Sequence, residues 1–553
     1  MNRAAALLLA LAVPASLPAL GGARSTGAGE ATASLGAVRF ETSCAPSVKD
    51  DFNHAVALLH SFEYGEAAEA FKAAGDKDPT CAMALWGQAM ARYHGLWNEY
   101  NVAEGAQAAA EARGRAAANP ATTEREKDYI AAISEIFSGE AIKAGEREDN
   151  KPDARGYSEP ARAPQVKYRE RMAALHEAYP QDDEATIFYA LALDVTAPRA
   201  DRTQADLHRC TALLSPLFAR LPNHPGIAHY IVHCTDNPEM AAEGLDAARK
   251  YAQIAPASAH ATHMPSHIFA QLGLWDEMVD SNRRSLRAAE ADVHASPCDR
   301  VGHTLHAMYF LSLSLAARGE LGDARAVVDR ALELPGSAAC DQEPTVVLAG
   351  YVMETGERER ARDIQVRGRM GPVVEGILWM TIGVGAARTG DAARAKAAED
   401  RLAGMRDARA KLPGASAESR IEVQRLAVAA WSARARGQDD EALRMLRAAA
   451  DLQDRLGAAN PIVKPVREML ADMLVLSGRP GDARIEYEAV LRGQPNRFDA
   501  TFGAASAAEA SGDGEAAKKR YRGLLAFAHG SERPELVTAR KKLGPGADGG
   551  LRP

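Results

Sequence analysis

The chain has 553 residues, of which 46% are hydrophobic and only 6% are aromatic, and its net charge is −8. A chain of this length exceeds a single compact core, so several domains or a repeat array are expected. Charges of both signs are mixed without a basic stripe, which argues against nucleic-acid binding and against strong attraction to a membrane surface. The many alanines and few aromatic residues favour packed helices over sheets.

The N-terminus has the pattern of a signal peptide over residues 1–23. Arg3 supplies the positive charge, and the apolar run from Ala4 to Val13 that follows is too short to span a bilayer. Residues 24–43 are rich in Gly, Ala, Ser and Thr, which predicts a disordered leader. We therefore expect an exported protein, periplasmic or extracellular, with no integral membrane segment after signal cleavage.

Internal repeats decide the predicted fold. Small and large residues at fixed places of one unit recur 34 residues later: Ala471, Leu474, Gly478, Ala483 and Tyr487, then Ala505, Ala508, Gly512, Ala517 and Tyr521. This pattern resembles the tetratricopeptide repeat, in which small residues lie where two helices cross and a large residue fills the gap to the next unit. The resemblance implies an all-α tetratricopeptide-repeat superhelix, a right-handed α-solenoid whose helix pairs need their neighbours to bury their apolar faces.

The repeats divide the mature chain into two predicted regions. An N-terminal helical array is predicted over 44–340, with an insertion at 139–165 rich in Gly, Pro and charge, and C-terminal repeats over 341–542 precede a flexible tail at 543–553. Units are predicted to begin near residues 48, 82, 225, 259, 305, 342, 376, 423, 464 and 498. The stretch 103–224 has helical periodicity without clear units. One continuous superhelix is the alternative to two arrays.

Aromatic residues gather in the second predicted unit. In the tetratricopeptide register Trp86, Tyr93 and His94 would face the concave groove, where such a surface suits a protein segment or peptide ligand. The alternative is packing against residues 103–165, because aromatic side chains at helical spacing more often belong to a core.

Histidine is concentrated between residues 208 and 306, which hold ten of the fifteen. His229 and His233, like His263 and His267, are four residues apart and therefore share one face of a helix. The two pairs are separated by one repeat, and His260 takes the second place of the later unit. Because these places usually face the groove in tetratricopeptide proteins, the resemblance implies five imidazoles on one patch of the inner surface.

The surrounding segments are HPGIAHYIVHCTDNPE and HATHMPSHIFAQLGLWDE. They resemble an uncharacterised group of exported bacterial tetratricopeptide proteins with HxxxH and HxxHMPxH segments. An acidic residue follows the first pair in that group, and Asp236 is the counterpart here, displaced by one residue. His306 falls at the edge of the same patch. Pro265 predicts a late helix start or a kink between the histidines.

Imidazole is a ligand suited to zinc, copper, iron or nickel. The sequence therefore predicts one or two transition-metal ions bound to His229, His233, His263 and His267, with His260 and Asp236 in support. The alternative is that these rings form hydrogen bonds with neighbouring groups and pack a narrow part of the superhelix.

Two functions are compatible with the sequence. The first is an exported scaffold that holds a protein segment or peptide in its concave groove, and the second is a metal-binding protein or metalloenzyme, such as a hydrolase or an oxidase. The sequence has no nucleotide fingerprint, phosphate-binding loop or nucleophile motif that would decide whether it is an enzyme.

Six cysteines in an exported chain allow fifteen full disulfide pairings. We expect neighbours in sequence to pair, namely Cys44 with Cys81, Cys210 with Cys234, and Cys298 with Cys340. The alternative is a set of inert buried thiols.

Overall fold

The computed structural model describes residues 35–139, 162–198, 201–335, 337, 340, 343–367, 371–411, 419–457, 463–530 and 533–544. These residues form 25 α-helices and one short β-hairpin, so the predicted all-α solenoid is confirmed. The predicted signal peptide lies outside the described residues, as do 24–34 of the leader, 140–161 of the insertion and 545–553 of the tail.

The helices follow one another as hairpins that stack on their neighbours along the chain. The first eight are α1 (Lys49–His60), α2 (Tyr64–Lys77), α3 (Ala82–Met90), α4 (Val102–Ala118), α5 (Glu124–Ile136), α6 (Arg162–Ala178), α7 (Asp183–Thr196) and α8 (Ala205–Arg220). The hairpin strands are β1 (Tyr93–His94) and β2 (Glu99–Tyr100), paired antiparallel between α3 and α4.

The central helices are α9 (Pro225–Cys234), α10 (Ala241–Ile254), α11 (Ala259–His263), α12 (Pro265–Leu272), α13 (Trp275–Ala291), α14 (Pro297–Ala317), α15 (Leu321–Leu332) and α16 (Thr345–Thr355). The last nine are α17 (Pro372–Thr389), α18 (Ala392–Ala410), α19 (Arg420–Ala435), α20 (Asp439–Arg455), α21 (Val466–Leu476), α22 (Pro480–Gly493), α23 (Phe498–Ala510), α24 (Gly514–Phe527) and α25 (Pro534–Leu543).

Each predicted unit start lies in or close to the first helix of a pair. The unit near 342 differs in its second half, where a 3-10 helix, Arg358–Asp363, stands in place of an α-helix. The stretch 103–224, in which no unit could be placed, contains two further pairs, α5 with α6 and α7 with α8. The stacking of helix pairs is therefore more regular than the repeat pattern in the sequence.

Small residues lie where two helices cross closely or where a helix ends, as the repeat pattern predicts. A β-carbon added at Gly383 in α17 would lie 2.6 Å from Val428 of α19, so the close crossing of these helices requires glycine. Gly390 and Gly478 end first helices with φ of +88° and +72°, the left-handed conformation that stops a helix and permits the turn to the next.

The apolar core begins earlier than predicted. Leu35 and Phe40 are buried, and the Phe40 ring packs 5.3 Å from that of Trp86 and 5.1 Å from that of Tyr129. Residues 35–43 of the predicted disordered leader are therefore ordered, because they cover aromatic side chains of the first repeats. The largest core cluster continues past residue 340 as far as Ala398.

The C-terminal repeats turn back onto the middle of the chain. The backbone amides of His529 and Gly530 both donate to the carbonyl of Arg318, at 2.9 Å each. The indole of Trp275 donates to the carbonyl of Asn496 at 2.7 Å. These bonds connect the C-terminal helices α23 to α25 to the start of α13 and the end of α14.

All six cysteines form disulfides in the expected pairs. Cys44 bonds to Cys81, Cys210 to Cys234 and Cys298 to Cys340, with Cα–Cα distances of 4.7, 6.4 and 5.1 Å. These distances lie within the range that a disulfide bridges. The Cys210–Cys234 bond ties α8 to α9, the helix that carries the first histidine pair.

Within the described part of the chain, we find no helix with the length and apolar character needed to cross a membrane.

Candidate metal centre

The central repeats bring six histidines from four helices to one region. His229 and His233 come from α9, His260 and His263 from α11, His267 from α12, and His306 from α14. The break predicted at Pro265 is present, because Met264 joins two separate helices and the proline opens the second. This break lets one repeat present its histidines from two short helices.

Three of these rings form a group that we call cluster A: His229, His233 and His260. The Nε2 atom of His229 lies 3.0 Å from Nε2 of His260 and 3.1 Å from Nε2 of His233. His229 and His260 are buried, and His233 is partly exposed. Three imidazole nitrogens therefore converge on one point from two neighbouring repeats.

The other three rings form cluster B: His263, His267 and His306. The Nε2 atoms of His263 and His267 are 3.2 Å apart, and a ligand nitrogen of each of the three rings lies within 4.8 Å of the others. His263 is buried, His267 is partly exposed and His306 is exposed. Cluster B is thus closed on one side and open on the other.

Hydrogen bonds to the second ring nitrogen orient the inner histidines. Nδ1 of His229 donates to the backbone carbonyl of His60 at 2.6 Å, and Nδ1 of His263 donates to Oδ1 of Asn282 at 2.7 Å. Both partners are acceptors, so Nδ1 carries the proton and Nε2 is left with its lone pair. This is the arrangement that orients histidine ligands at metal sites.

Asp236 is a hydrogen-bond partner of a cluster histidine and is not itself a member of either cluster. Its Oδ2 accepts from Nδ1 of His267 at 2.9 Å, and its Oδ1 accepts from Nε2 of Gln271 at 3.0 Å. Burial raises the pKa of Asp236, but attraction and hydrogen bonding to His267 outweigh burial and hold the pKa below its ordinary value. Both oxygens are therefore occupied, and the carboxylate orients His267.

Burial keeps the inner rings neutral. It lowers the pKa of His229, His260 and His263 well below the ordinary value, and it lowers the pKa of His233 to about 3. Neighbouring imidazoles act in the same direction, because each disfavours a second positive charge nearby. Neutral rings at neutral pH are the form that binds a metal ion.

The nitrogen spacings match those around a metal ion. Two ligands that lie about 2.0–2.1 Å from a tetrahedral ion are roughly 3.3 Å from each other. In cluster B the Nδ1 atoms of His263 and His267 both donate to acceptors, and their Nε2 atoms lie 3.2 Å apart. This spacing is compatible with a metal ion bound by both nitrogens.

A third group of ligand-type residues, His60, Glu184 and His224, forms a hydrogen-bonded network centred on the Glu184 carboxylate. Nε2 of His60 and Nε2 of His224 each lie 2.9 Å from one oxygen of the Glu184 carboxylate, and Nδ1 of His60 lies 2.9 Å from the hydroxyl of Tyr230. This buried network supports the end of α1, whose last carbonyl orients His229.

The structure contradicts the groove positions predicted for Trp86, Tyr93 and His94, all of which are buried. Trp86 lies in the aromatic core because residues 35–43 cover it. Helix α3 ends at Met90, so Tyr93 and His94 belong to the β-hairpin, where the His94 ring stacks 3.9 Å from that of Tyr64. The exposed aromatic residue is Trp97 at the hairpin tip, 43% accessible and 5.8 Å from the His260 ring.

Phe62 closes the inner side of cluster A. Its ring lies 4.3 Å from that of His229 and 5.5 Å from that of His260. The Phe62 backbone has φ of +60°, a left-handed conformation that costs energy for a bulky residue and is concentrated at functional sites. On cluster B, Phe310 occupies the corresponding place, 4.6 Å from His263 and 4.8 Å from His267.

Comparison with known proteins adds little to this geometry. No protein-family model and no curated protein matches the chain. A tetratricopeptide repeat protein from Parabacteroides merdae ATCC 43184 is similar over 52% of this chain and 97% of its own, at 15% identity and a TM-score of 0.28. The APC/C hetero-tetramer Cut9–Hcn1 is similar over 68% of this chain and 81% of its own, at 11% identity and a TM-score of 0.31.

The structural similarity at these TM-scores is weak, and the helix packing described above is what shows the fold class. That packing defines an all-α helical-repeat protein. Within it, two adjacent three-histidine clusters lie on the central repeats.

Proposed function

We propose that the protein is an exported metal-binding protein that holds two transition-metal ions in its central repeats, one in cluster A and one in cluster B. Each cluster supplies three nitrogens and leaves further positions free, which is the ligand count of catalytic rather than structural metal sites. Imidazole ligands suit zinc, copper or iron. The proposed class of activity is metal-assisted hydrolysis or oxidation at the open side of the clusters.

The convergence of three Nε2 atoms in cluster A carries this proposal. A histidine cluster that served packing alone would direct its nitrogens at separate acceptors, as His60 and His224 do toward Glu184. In cluster A the nitrogens instead approach one another to 3.0 and 3.1 Å. The buried Nδ1 partner of His229 fixes that direction.

Metal analysis of the mature protein tests the proposal. Protein purified without chelators, and apoprotein titrated with zinc or copper, are expected to hold about two equivalents per chain, one for each set of three nitrogens. Elemental analysis by mass spectrometry after gel filtration measures the content. Absence of metal after purification, together with no uptake on titration, would show that the histidines are structural.

A second proposal concerns the groove beside the clusters: it binds a protein segment or peptide. Trp97 supports it, because this exposed indole stands next to His260 and can stack on a ligand side chain. Peptides selected from a display library on the intact protein are expected to lose most of their binding when Trp97→Ala is introduced. Selected peptides that bind the variant equally well would place the ligand elsewhere.

A further inference from the structure

We propose that clusters A and B hold a magnetically coupled pair of copper ions whose open coordination positions lie on the solvent-accessible side of the two clusters. This inference rests on the proposed function and names the metal and its arrangement. It depends on the chemistry of the six ligands, on the charge that the site can accept, and on the helix that the two clusters share.

The ligand set favours copper among the candidate ions. Both clusters consist of histidine alone. Iron and manganese sites in proteins generally include carboxylate ligands, and the nearby carboxylate of Asp236 is engaged by His267 and Gln271. For a fixed set of nitrogen ligands, affinity among divalent ions is highest for Cu²⁺. The composition of the clusters therefore favours copper in its oxidised state.

The charge balance favours copper in its reduced state as well. Two divalent ions would bring four positive charges among neutral imidazoles lined by Phe62 and Phe310. Placing charge in a poorly solvated site is costly, and the cost grows steeply with charge. Of zinc, copper, iron and nickel, copper alone has a readily accessible monovalent state, which would halve the charge.

One short helix carries a ligand of each of the two clusters. His260 joins cluster A and His263 joins cluster B, and both lie on α11. Residues three apart on a helix have their Cβ atoms about 5–6 Å apart. Helix α14 repeats this arrangement, with His306 in cluster B and His303 beside His260 at a ring distance of 6.2 Å. The two clusters therefore adjoin each other along α11 and α14, which places the two proposed ions side by side.

The free coordination positions of both proposed ions lie on the solvent-accessible side of the clusters. Cluster A is closed by Phe62 and the buried ring of His229, whereas His233 is partly exposed. Cluster B is closed by Phe310, whereas His267 and His306 reach the surface. A small ligand that enters between these accessible rings would meet both ions.

Electron paramagnetic resonance of the copper-loaded protein tests the pair. The full mature chain is loaded with Cu²⁺ alongside two variants, His233→Ala and His267→Ala, each of which leaves one cluster complete. The wild-type protein is expected to lose most of its signal intensity per copper through coupling, while each variant with a single copper gives the full signal of an isolated ion. His208→Ala, which removes an exposed imidazole on α8, is the control and should behave as wild type.

Competition between equal amounts of zinc and copper completes the test. Copper is expected to occupy both clusters. Retention of zinc in place of copper would overturn the choice of metal, and two copper ions with full isolated signals in the wild-type protein would overturn the coupled pair. Failure to bind either metal would instead contradict the proposed function itself, so the two failures are distinguishable.

Discussion

Replacing Glu184 by Ala is expected to lower the free energy of unfolding by about 3–5 kcal/mol at neutral pH. The Glu184 carboxylate is buried and accepts hydrogen bonds from both His60 and His224. Its removal would leave two buried imidazoles without their acceptor. The penalty for stranded buried polar groups is larger than the net gain from forming the bonds.

The loss of stability caused by Glu184→Ala should become smaller as the pH falls. Burial alone would raise the pKa of Glu184, but His224 and His60 outweigh burial and hold the pKa well below its ordinary value. A carboxylate with a lowered folded-state pKa stabilises the protein fully above its unfolded pKa, about 4.3. That contribution is lost as the pH falls toward the folded-state pKa. The difference between wild type and variant should therefore be full near pH 7 and shrink below about pH 4.

Denaturant unfolding followed by circular dichroism at several pH values measures this difference. Glu184→Gln, which keeps the shape and one acceptor oxygen, is the matched control and is expected to fall between wild type and Glu184→Ala. A difference of the same size at acid and neutral pH would assign the loss to packing and not to the carboxylate.

The repeat pattern predicted the architecture because it records packing directly. Gly383 is small because Val428 approaches it, and Gly478 ends a helix in a conformation that favours glycine. The pairing of Cys44 with Cys81 was also predictable, because both cysteines precede first helices of adjacent units. In these cases the residues that define the sequence pattern also form the helix contact, the helix end or the disulfide.

The positions of the clustered histidines were predictable only where these residues follow the repeat. The pairs on α9 and at 263 and 267 recur after one unit, and in each pair the two Nε2 atoms lie close together, although His263 and His267 lie on separate helices. The division into two clusters was not predictable, because His260 and His263 lie on the same short helix, α11, and yet join different clusters. The spacing of His303 and His306, equal to that of His260 and His263, was the sequence signal for the contribution of α14.

The aromatic prediction failed for a different physical reason. A repeat register assigns Trp86 to the concave side, but it contains no information about a segment that covers that side. Phe40 does so from a stretch whose composition predicted disorder. A few buried apolar residues, here Leu35 and Phe40, are enough to order a short segment against an aromatic surface, and average composition does not reveal them.

Replacing His233 and His267 together by Ala is expected to abolish tight metal binding and leave helicity nearly unchanged. His233 belongs to cluster A and His267 to cluster B, so the double variant leaves two ligands in each. Loss of an outer partner of a metal ligand typically costs about 10–100-fold in affinity, so loss of a direct ligand should cost about 100-fold or more. Both rings are partly exposed, so their truncation removes little core packing.

The single variants show which bound equivalent belongs to cluster A and which to cluster B. His233→Ala should lose one of the two bound equivalents and retain the one at cluster B, and His267→Ala should do the reverse. Equilibrium dialysis with zinc and copper gives the stoichiometry, far-ultraviolet circular dichroism reports helicity, and His208→Ala is the matched control. Unchanged stoichiometry in the double variant would place any bound metal outside both clusters. Loss of both equivalents in either single variant would mean that neither cluster binds its ion without the other.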